Sequence, residues 1–306
     1  MHRRSGSIRI GAICLIAPFF CHAERLAITF DDLPQNGQLA PGSTQVSIAR
    51  DTLAVLKTQR VPQVYGFINA AKLEGNRDGV DALNLWVAAG ERLGNHSYSH
   101  MDLHRNPAEP FLREVQLNEP VLELLDKGDT WRWFRYPYLR EGDELEKRRA
   151  VRAGLLARGY RIAQVTLDYE DYLWNTPYAR CVPKGDRKAI EWLHTSYLET
   201  AAAYIDLSRE IAKQVYGREI DHVLLLHLGE FSSTILPDLF DLLRKKRFTL
   251  VTLEEAQRDT AYEVDPDAAS SYGGTLLEQL MEARGLKYGT PWPKKPTKQL
   301  TAVCAP

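Results

Sequence analysis

The sequence predicts an α/β fold, built from successive βα units around a largely parallel sheet. Apolar, β-rich segments alternate with helical segments along the chain, and parallel sheets require this order. Three polar residues, Asp31, Asp168 and His227, directly follow predicted strands, where α/β barrels carry their active sites. With 306 residues, 44% hydrophobic and 26% charged, the chain can bury a large core, and its composition argues against disorder and coiled coils.

Hydrophobic patterning places the elements along the chain. Strands are expected where short apolar runs are rich in β-branched or aromatic residues, and helices where apolar residues recur three or four positions apart. The predicted strands cover residues 26–30, 64–68, 162–167, 222–226 and 248–252. The predicted helices cover residues 47–60, 82–89, 107–126, 144–158, 190–215 and 276–283. Pro120 is expected to interrupt or bound the third helix.

The first residues resemble an export signal. A basic start at residues 2–4 precedes an apolar run at residues 10–20, which is too short to span a bilayer comfortably and ends close to Ala23. We predict a signal peptide at residues 1–23 and export to the periplasm or the medium, with no stable membrane insertion after cleavage. A retained membrane anchor is the alternative. Cleavage would remove three arginines and change the formal net charge from −1 to −4. Because no basic stripe stands out, nucleic acid is not an expected partner.

The rest of the chain is predicted to form one barrel-like domain at residues 24–260, with a C-terminal extension at 261–306 packed on it. Signal cleavage would leave only Cys181 and Cys304 of the four cysteines. In an exported protein these two are a candidate disulfide, with two unrelated thiols as the alternative. The chain has no G-x-S-x-G elbow and no Gly-rich phosphate loop, which disfavours covalent serine or cysteine catalysis and nucleotide chemistry.

Two short patterns suit metal chemistry. Asp31 and Asp32 are adjacent at a strand end, so their side chains point in different directions, and one could bind a metal while the other handles protons. A solvated turn or a helix cap is the alternative. His96 and His100 are four residues apart, which brings two imidazoles together on a helical face or in a tight turn, and His104 adds another such step. Imidazole suits zinc, although surface histidines would give the same pattern.

Three further groups complete the set of candidates. Arg135-Tyr136-Pro137-Tyr138 lies close to two tryptophans, and an arginine among aromatic residues suits a sugar-binding wall, a carboxylate partner or ordinary core packing. Asp168, Glu170 and Asp171 form an acidic cluster. His227 ends a very apolar strand, either as a functional group or as a hydrogen-bonded core histidine.

Taken in order, these segments resemble the polysaccharide deacetylase family of carbohydrate esterases. The five matching motifs are Thr29-Phe30-Asp31-Asp32 for T-F-D-D, His96 to His100 for H-[ST]-x-x-H, Arg135 to Tyr138 for R-x-P-[YF], Asp168 to Tyr172 for D-x-x-D-W, and Leu225-Leu226-His227 for L-x-H. Each motif is weak alone, but five in the correct order are hard to obtain by chance. The resemblance covers roughly residues 24–259 and implies a distorted (β/α) barrel with fewer than eight βα units.

The resemblance also implies a metal-dependent hydrolase. Asp32, His96 and His100 would bind a divalent metal, with zinc favoured and cobalt as an alternative. Asp31 would be the general base that takes a proton from the attacking water, and Arg135 would hold Asp31 in place. Such a site would remove acetyl groups from a carbohydrate.

The remaining roles implied by the resemblance concern the oxyanion and the leaving group. The backbone N–H of Tyr138 would stabilise the oxyanion. His227 would be the general acid that protonates the leaving amine, tuned by Asp171. The family's tryptophan is replaced by Tyr172, which leaves Asp168 open as the tuning carboxylate.

The expected substrate is an acetylated carbohydrate, with an N-acetyl sugar of an oligo- or polysaccharide preferred. An O-acetyl esterase would use the same site, so the sequence does not separate the two. Hydrolysis of another non-peptide C–N bond is a further alternative, disfavoured by the intact metal motif. A sugar-binding pseudoenzyme would be expected to lack at least one of Asp31, Asp32, His96, His100 and His227, and all five are present.

Overall fold

The computed structural model describes residues 24–289 and 291–305. Its strands are β1 (Arg25–Leu33), β2 (Tyr65–Ile68), β3 (Arg92–Asn95), β4 (Trp133–Phe134), β5 (Arg161–Ile162), β6 (His222–His227) and β7 (Thr249–Val251). Its α-helices are α1 (Gln45–Thr58), α2 (Arg77–Ala88), α3 (Ala108–Leu125), α4 (Leu145–Ala157), α5 (Asn175–Cys181), α6 (Arg187–Tyr216), α7 (Ser232–Lys245), α8 (Leu253–Ala256), α9 (Leu276–Ala283) and α10 (Thr297–Ala302). The predicted signal peptide lies outside the described residues.

The strands form one parallel sheet that curls into a distorted barrel. Six strands follow the order β5-β4-β3-β2-β1-β6, and β7 pairs with the first residues of β1. β1 is central, and its apolar residues are almost completely buried, as expected for a strand covered on both faces. The predicted fold, a distorted (β/α) barrel with fewer than eight units, is confirmed.

The prediction of a single strand at residues 162–167 is wrong. Its first part pairs with β4, where Ala163 N donates to Phe134 O (2.8 Å), and its last part pairs with β6, where Leu225 N donates to Leu167 O (3.1 Å). Regular strand pairing therefore stops at Ile162, and Leu167 forms an isolated bridge to Leu224. The segment crosses from one edge of the sheet to the other, so it cannot stay in register with either neighbour, and this crossing closes the barrel.

Several helices differ from the prediction, including the short helices α5, α8 and α10, which were not predicted. α3 continues through Pro120, which was expected to interrupt or bound it. α7 was not predicted, although Ile235, Leu239 and Leu243 recur at helical spacing and are buried. Pro237 lies inside α7 and lowers its intrinsic helix propensity, so burial of this apolar face outweighs the local preference. The short strands β3 and β4 were also not predicted.

The chain after the barrel packs back onto it. α9 lies against the long helix α6, and Leu276 N donates to Val165 O at 2.8 Å. The predicted disulfide is present and joins Cys181, at the end of α5, to Cys304, 123 residues later. No helix in the described part of the chain is long and apolar enough to cross a membrane.

Loss of this disulfide is expected to lower the free energy of unfolding by about 2–5 kcal/mol, because the bond constrains a long loop of the unfolded chain. The measurement is urea unfolding of the oxidised protein, the reduced protein and Cys304→Ser. Reduced wild type and Cys304→Ser should unfold at the same lower urea concentration. Equal midpoints for oxidised and reduced protein would contradict the prediction.

Candidate active site

The candidate residues meet in a cleft at the carboxyl end of the sheet. The register pairs Asp31 of β1 with His227 of β6, and it pairs Asn95, which precedes His96, with Phe134, which precedes Arg135. Carboxyl ends of parallel strands share one edge of a sheet, so residues far apart in sequence become neighbours. The cleft has a volume of about 490 Å³. It is lined, among others, by Asp31, Asp32, His96, His100, Tyr138, Asp168 and His227.

Asp31 forms a buried ion pair with Arg135. Arg135 Nη1 donates to both carboxylate oxygens of Asp31, at 3.0 and 3.2 Å. The other guanidinium nitrogens donate to Thr29 Oγ1 at 3.1 Å and to Ala163 O at 2.6 Å, so the guanidinium is fixed in position. Burial raises the pKa of Asp31 above its usual value, and Arg135 opposes this rise. The arrangement holds one carboxylate in a defined orientation at the cleft.

Asp32 points a second carboxylate at the two histidines. Its φ of 67° turns the backbone near the end of β1, where the register with β2 shifts between Phe30 and Leu33. Asp32 Oδ1 lies 3.5 Å from His100 Nε2 and 3.9 Å from His96 Nε2. One donor atom from each of these three residues lies within 4.8 Å of the others. His96 and His100 meet through a tight turn rather than on a helix, since Ser97 and His100 have φ near 60°.

The protonation states of this group suit a metal ion. His96 Nδ1 lies 2.8 Å from Arg135 O; a carbonyl only accepts, so Nδ1 carries the proton and Nε2 presents its lone pair to Asp32. Burial lowers the pKa of His96 to about 3 and that of His100 to about 4, which keeps both imidazoles neutral. Asp32 Oδ1 is buried and accepts no hydrogen bond from the described residues. A buried carboxylate oxygen and two neutral imidazoles are a set of donors that could hold a divalent metal ion.

Sequence reasoning missed two neighbours of Asp32. Lys72, on the turn after β2, lies with Nζ 3.4 Å from Asp32 Oδ1 and donates to Asp32 O at 2.9 Å. Asn36 Nδ2 donates to Asp32 Oδ2 at 2.8 Å. Burial alone would raise the pKa of Asp32, but Lys72 and the histidines lower it. Lys72 lies in the turn that follows β2, and this position was the feature of the sequence that could have indicated a residue at the site. His104 does not join the group; its carbonyl accepts from Lys147 Nζ at 3.4 Å.

His227, which lines the cleft, is hydrogen-bonded to Asp171. Asp171 Oδ1 lies 2.7 Å from His227 Nδ1, and Asp171 Oδ2 accepts from His227 N at 2.9 Å. Burial alone would lower the pKa of His227, but Asp171 raises it to about 9. Asp168 instead accepts from Glu170 N at 2.7 Å, and burial raises the pKa of Asp168 to about 6. Of the two carboxylates considered, Asp171 is the one hydrogen-bonded to the histidine.

Two tyrosines pack against histidines of the cleft. Tyr138 has a left-handed backbone (φ 60°, ψ 12°), and its ring centroid lies 4.3 Å from that of His100. The ring centroid of Tyr172 lies 5.1 Å from that of His227, so the tyrosine that replaces the family's tryptophan packs on His227. Trp174 is fully buried and donates to Ser196 Oγ at 3.0 Å, and it therefore belongs to the core.

Comparison with known proteins finds similarity to one family. The polysaccharide deacetylase family model matches residues 22–163, which include the first three motifs. A chitin deacetylase from Arthroderma benhamiae is 26% identical over 111 residues, covering 36% of this chain and 28% of the relative. This alignment thus spans little more than a quarter of the relative's length. The chain is similar to the polysaccharide deacetylase family over residues 22–163, which agrees with the five motifs.

Solved structures support the same fold. The polysaccharide deacetylase from Bacillus cereus has a TM-score of 0.50 and 16% identity, covering 75% of this chain and 91% of its own. A family 4 carbohydrate esterase pseudoenzyme from Bacillus anthracis has a TM-score of 0.52 and 15% identity, covering 77% of this chain and 66% of its own. The fold is therefore that of carbohydrate deacetylases.

Proposed function

We propose that this protein is a metal-dependent hydrolase that removes acetyl groups from the N-acetyl sugars of an oligo- or polysaccharide. The observation that carries the proposal is the convergence of Asp32, His96 and His100 beside the Asp31–Arg135 ion pair. Zinc suits one carboxylate and two imidazoles, with cobalt as an alternative. When bound, such an ion would polarise the acetyl carbonyl and lower the pKa of water.

The residues of the chain supply the proton transfers. Asp31, held by Arg135, takes a proton from the attacking water, and its raised pKa brings it closer to the operating pH of a general base. The backbone N–H of Tyr138 donates to the oxyanion that forms on the acetyl group. His227 is protonated near neutrality because its pKa is raised to about 9, and it donates its proton to the leaving amine, with Asp171 orienting its ring.

The boundaries and location are also proposals. Residues 24–260 would form the catalytic domain, and residues 261–306 an extension packed on it, which the contact between α6 and α9 supports. Export depends on the predicted signal peptide. An acetylated carbohydrate remains the expected partner, and the name of the chitin deacetylase relative makes N-acetylglucosamine oligomers the first substrates to test.

The test is acetate release by the purified protein from N-acetylglucosamine oligomers, peptidoglycan fragments and O-acetylated xylan. Each substrate is assayed after treatment with a chelator and again after addition of zinc or cobalt. We expect no release without metal and recovery with it. The preferred substrate separates N-deacetylation from O-deacetylation. Tight metal binding without release from any substrate would favour a sugar-binding function.

Metal affinity is tested separately by calorimetry. Asp32→Ala should lower zinc affinity by more than the 10- to 100-fold that is typical when a residue supporting a ligand is lost, because Asp32 supplies a ligand atom. Asp168→Asn is the matched control, since it removes a carboxylate from the same cleft but outside the three-residue group. It should bind zinc as the wild type does. Failure of the wild type to bind metal would overturn the proposal.

A further inference from the structure

The chain that follows the barrel contributes an aromatic side chain to the cleft. Tyr272 lines the same cleft as the Asp31 and His227 candidates, although it lies far outside the residues matched by the family model. It is 84% exposed, compared with 55% for Tyr138 and 39% for Tyr172. An exposed aromatic ring at the rim of a cleft is placed where it can pack against a bound molecule, so Tyr272 is a candidate ligand contact.

The loop that carries Tyr272 is fixed at its base. Ser270 is buried, and its N donates to Gly142 O at 3.2 Å. Ser270 Oγ accepts from Gly273 N at 3.1 Å, which closes the turn around Tyr272. Thr275 then caps α9 by accepting from Glu278 N at 3.3 Å. The ring is therefore carried by an ordered turn, and binding to it would cost little additional backbone entropy.

The same loop lies directly against the catalytic loop after β4. Gly273 has φ of 83°, and a Cβ at this position would lie 2.8 Å from Leu139 O. Only a residue without a side chain allows this close approach. Leu139 follows Tyr138, so the approach fixes Tyr272 beside the residue whose N–H is assigned to the oxyanion.

A second contact ties the extension to the same cleft. Lys295 Nζ lies 2.6 Å from Glu170 Oε2, and Glu170 lines the cleft. The Lys295 ammonium also lies 4.7 Å from the centroid of the Tyr204 ring. With the disulfide at Cys304, these contacts hold the extension along one side of the cleft.

We propose that Tyr272 is the platform of a sugar subsite next to the reaction centre, so that the protein prefers oligosaccharides to single acetylated sugars. The proposal rests on the proposed deacetylase function. Tyr138 and Tyr172 already pack on His100 and His227, so they border the sugar that reacts. Tyr272 is the more exposed ring, and an aromatic ring can stack on the apolar C–H face of a neighbouring pyranose.

The experiment compares Tyr272→Ala and Tyr272→Phe with the wild type. Tyr272→Ala should lower kcat/KM for N-acetylglucosamine oligomers by about tenfold, mainly through KM, because the platform binds ground state and transition state alike. Tyr272→Phe keeps the ring and should stay near the wild-type value. None of these variants should change hydrolysis of 4-nitrophenyl acetate, which has no second sugar. Leu124→Ala, at a similarly exposed apolar side chain on α3 (76%, compared with 84% for Tyr272), is the control for loss of an exposed apolar side chain.

A binding measurement separates the two proposals. Oligomer affinity is measured by calorimetry in Asp31→Asn, with and without Tyr272→Ala, so that turnover during the titration is strongly reduced. About tenfold weaker binding with Tyr272→Ala supports the platform. Equal binding and equal oligomer kcat/KM overturn the platform but leave the deacetylase proposal intact. No oligomer binding by any form of the protein, with no acetate release by the metal-loaded wild type, overturns both.

Discussion

Replacing Asp31 by asparagine is expected to lower kcat for acetate release by about 10²–10⁴-fold, the usual contribution of a general base. Asparagine has the same shape, and its amide oxygen can still accept from Arg135 Nη1, which lies 3.0 Å from Asp31 Oδ1. It cannot take a proton. Since Asp31 is not one of the three residues of the metal group, zinc affinity should change little.

The controls for this variant separate chemistry from folding. Zinc titration and thermal unfolding should show that Asp31→Asn binds metal and remains folded. Asp51→Asn makes the same change at an exposed ion pair with Arg50, where little effect on stability or activity is expected. If Asp31→Asn retained more than about a tenth of wild-type kcat, Asp31 would not be the base.

Much of the barrel could be predicted because its central strands are encoded locally. Residues 26–30 and 222–226 are apolar except for Thr29 and His222, as expected for strands buried on both faces, and they form most of β1 and β6. The polar residues at their ends, Asp31 and His227, were recognised from that position alone. Family motifs supplied the roles, since adjacency of Asp31 and His227 depends on strand register, which no local pattern records.

The errors come from contacts between distant segments. The stretch 162–167 has strand composition, but its partners lie on opposite edges of the sheet. Lys72 was overlooked because an isolated lysine after a strand resembles a surface residue in the sequence. Only the folded structure shows that the ends of β1 and β2 bring it next to Asp32. Tyr272 could not have been found, because its position depends on the packing of Gly273 against Leu139. Where polar residues follow strands the sequence was informative. For the extension it predicted the disulfide to Cys304, but not the contact that brings Tyr272 to the cleft.

Loss of His227 is the second prediction with a large expected effect. His227→Ala should lower kcat for an N-acetyl substrate by about 10²–10⁴-fold, because an amine leaves only when protonated. The loss should be much smaller for 4-nitrophenyl acetate, whose leaving group departs as a stable anion. A purely structural role would reduce both activities equally, so equal losses would contradict the assignment.

The Asp171–His227 pair also predicts a change in pH dependence. The raised pKa of His227, about 9, keeps it protonated at lower pH, so kcat should fall as the pH rises through this pKa. A divalent ion in the site adds positive charge, which lowers the pKa of His227 and moves the fall in kcat to lower pH. Asp171→Asn removes the negative charge that raises the pKa of His227 and leaves the effect of burial, which lowers it. The fall in kcat should therefore occur at a still lower pH, and activity should be restored at acidic pH. Asp168→Asn is the matched comparison, because Asp168 was the alternative tuning residue but bonds to Glu170 N. A shift of this fall in kcat by Asp168→Asn and not by Asp171→Asn would reverse the assignment.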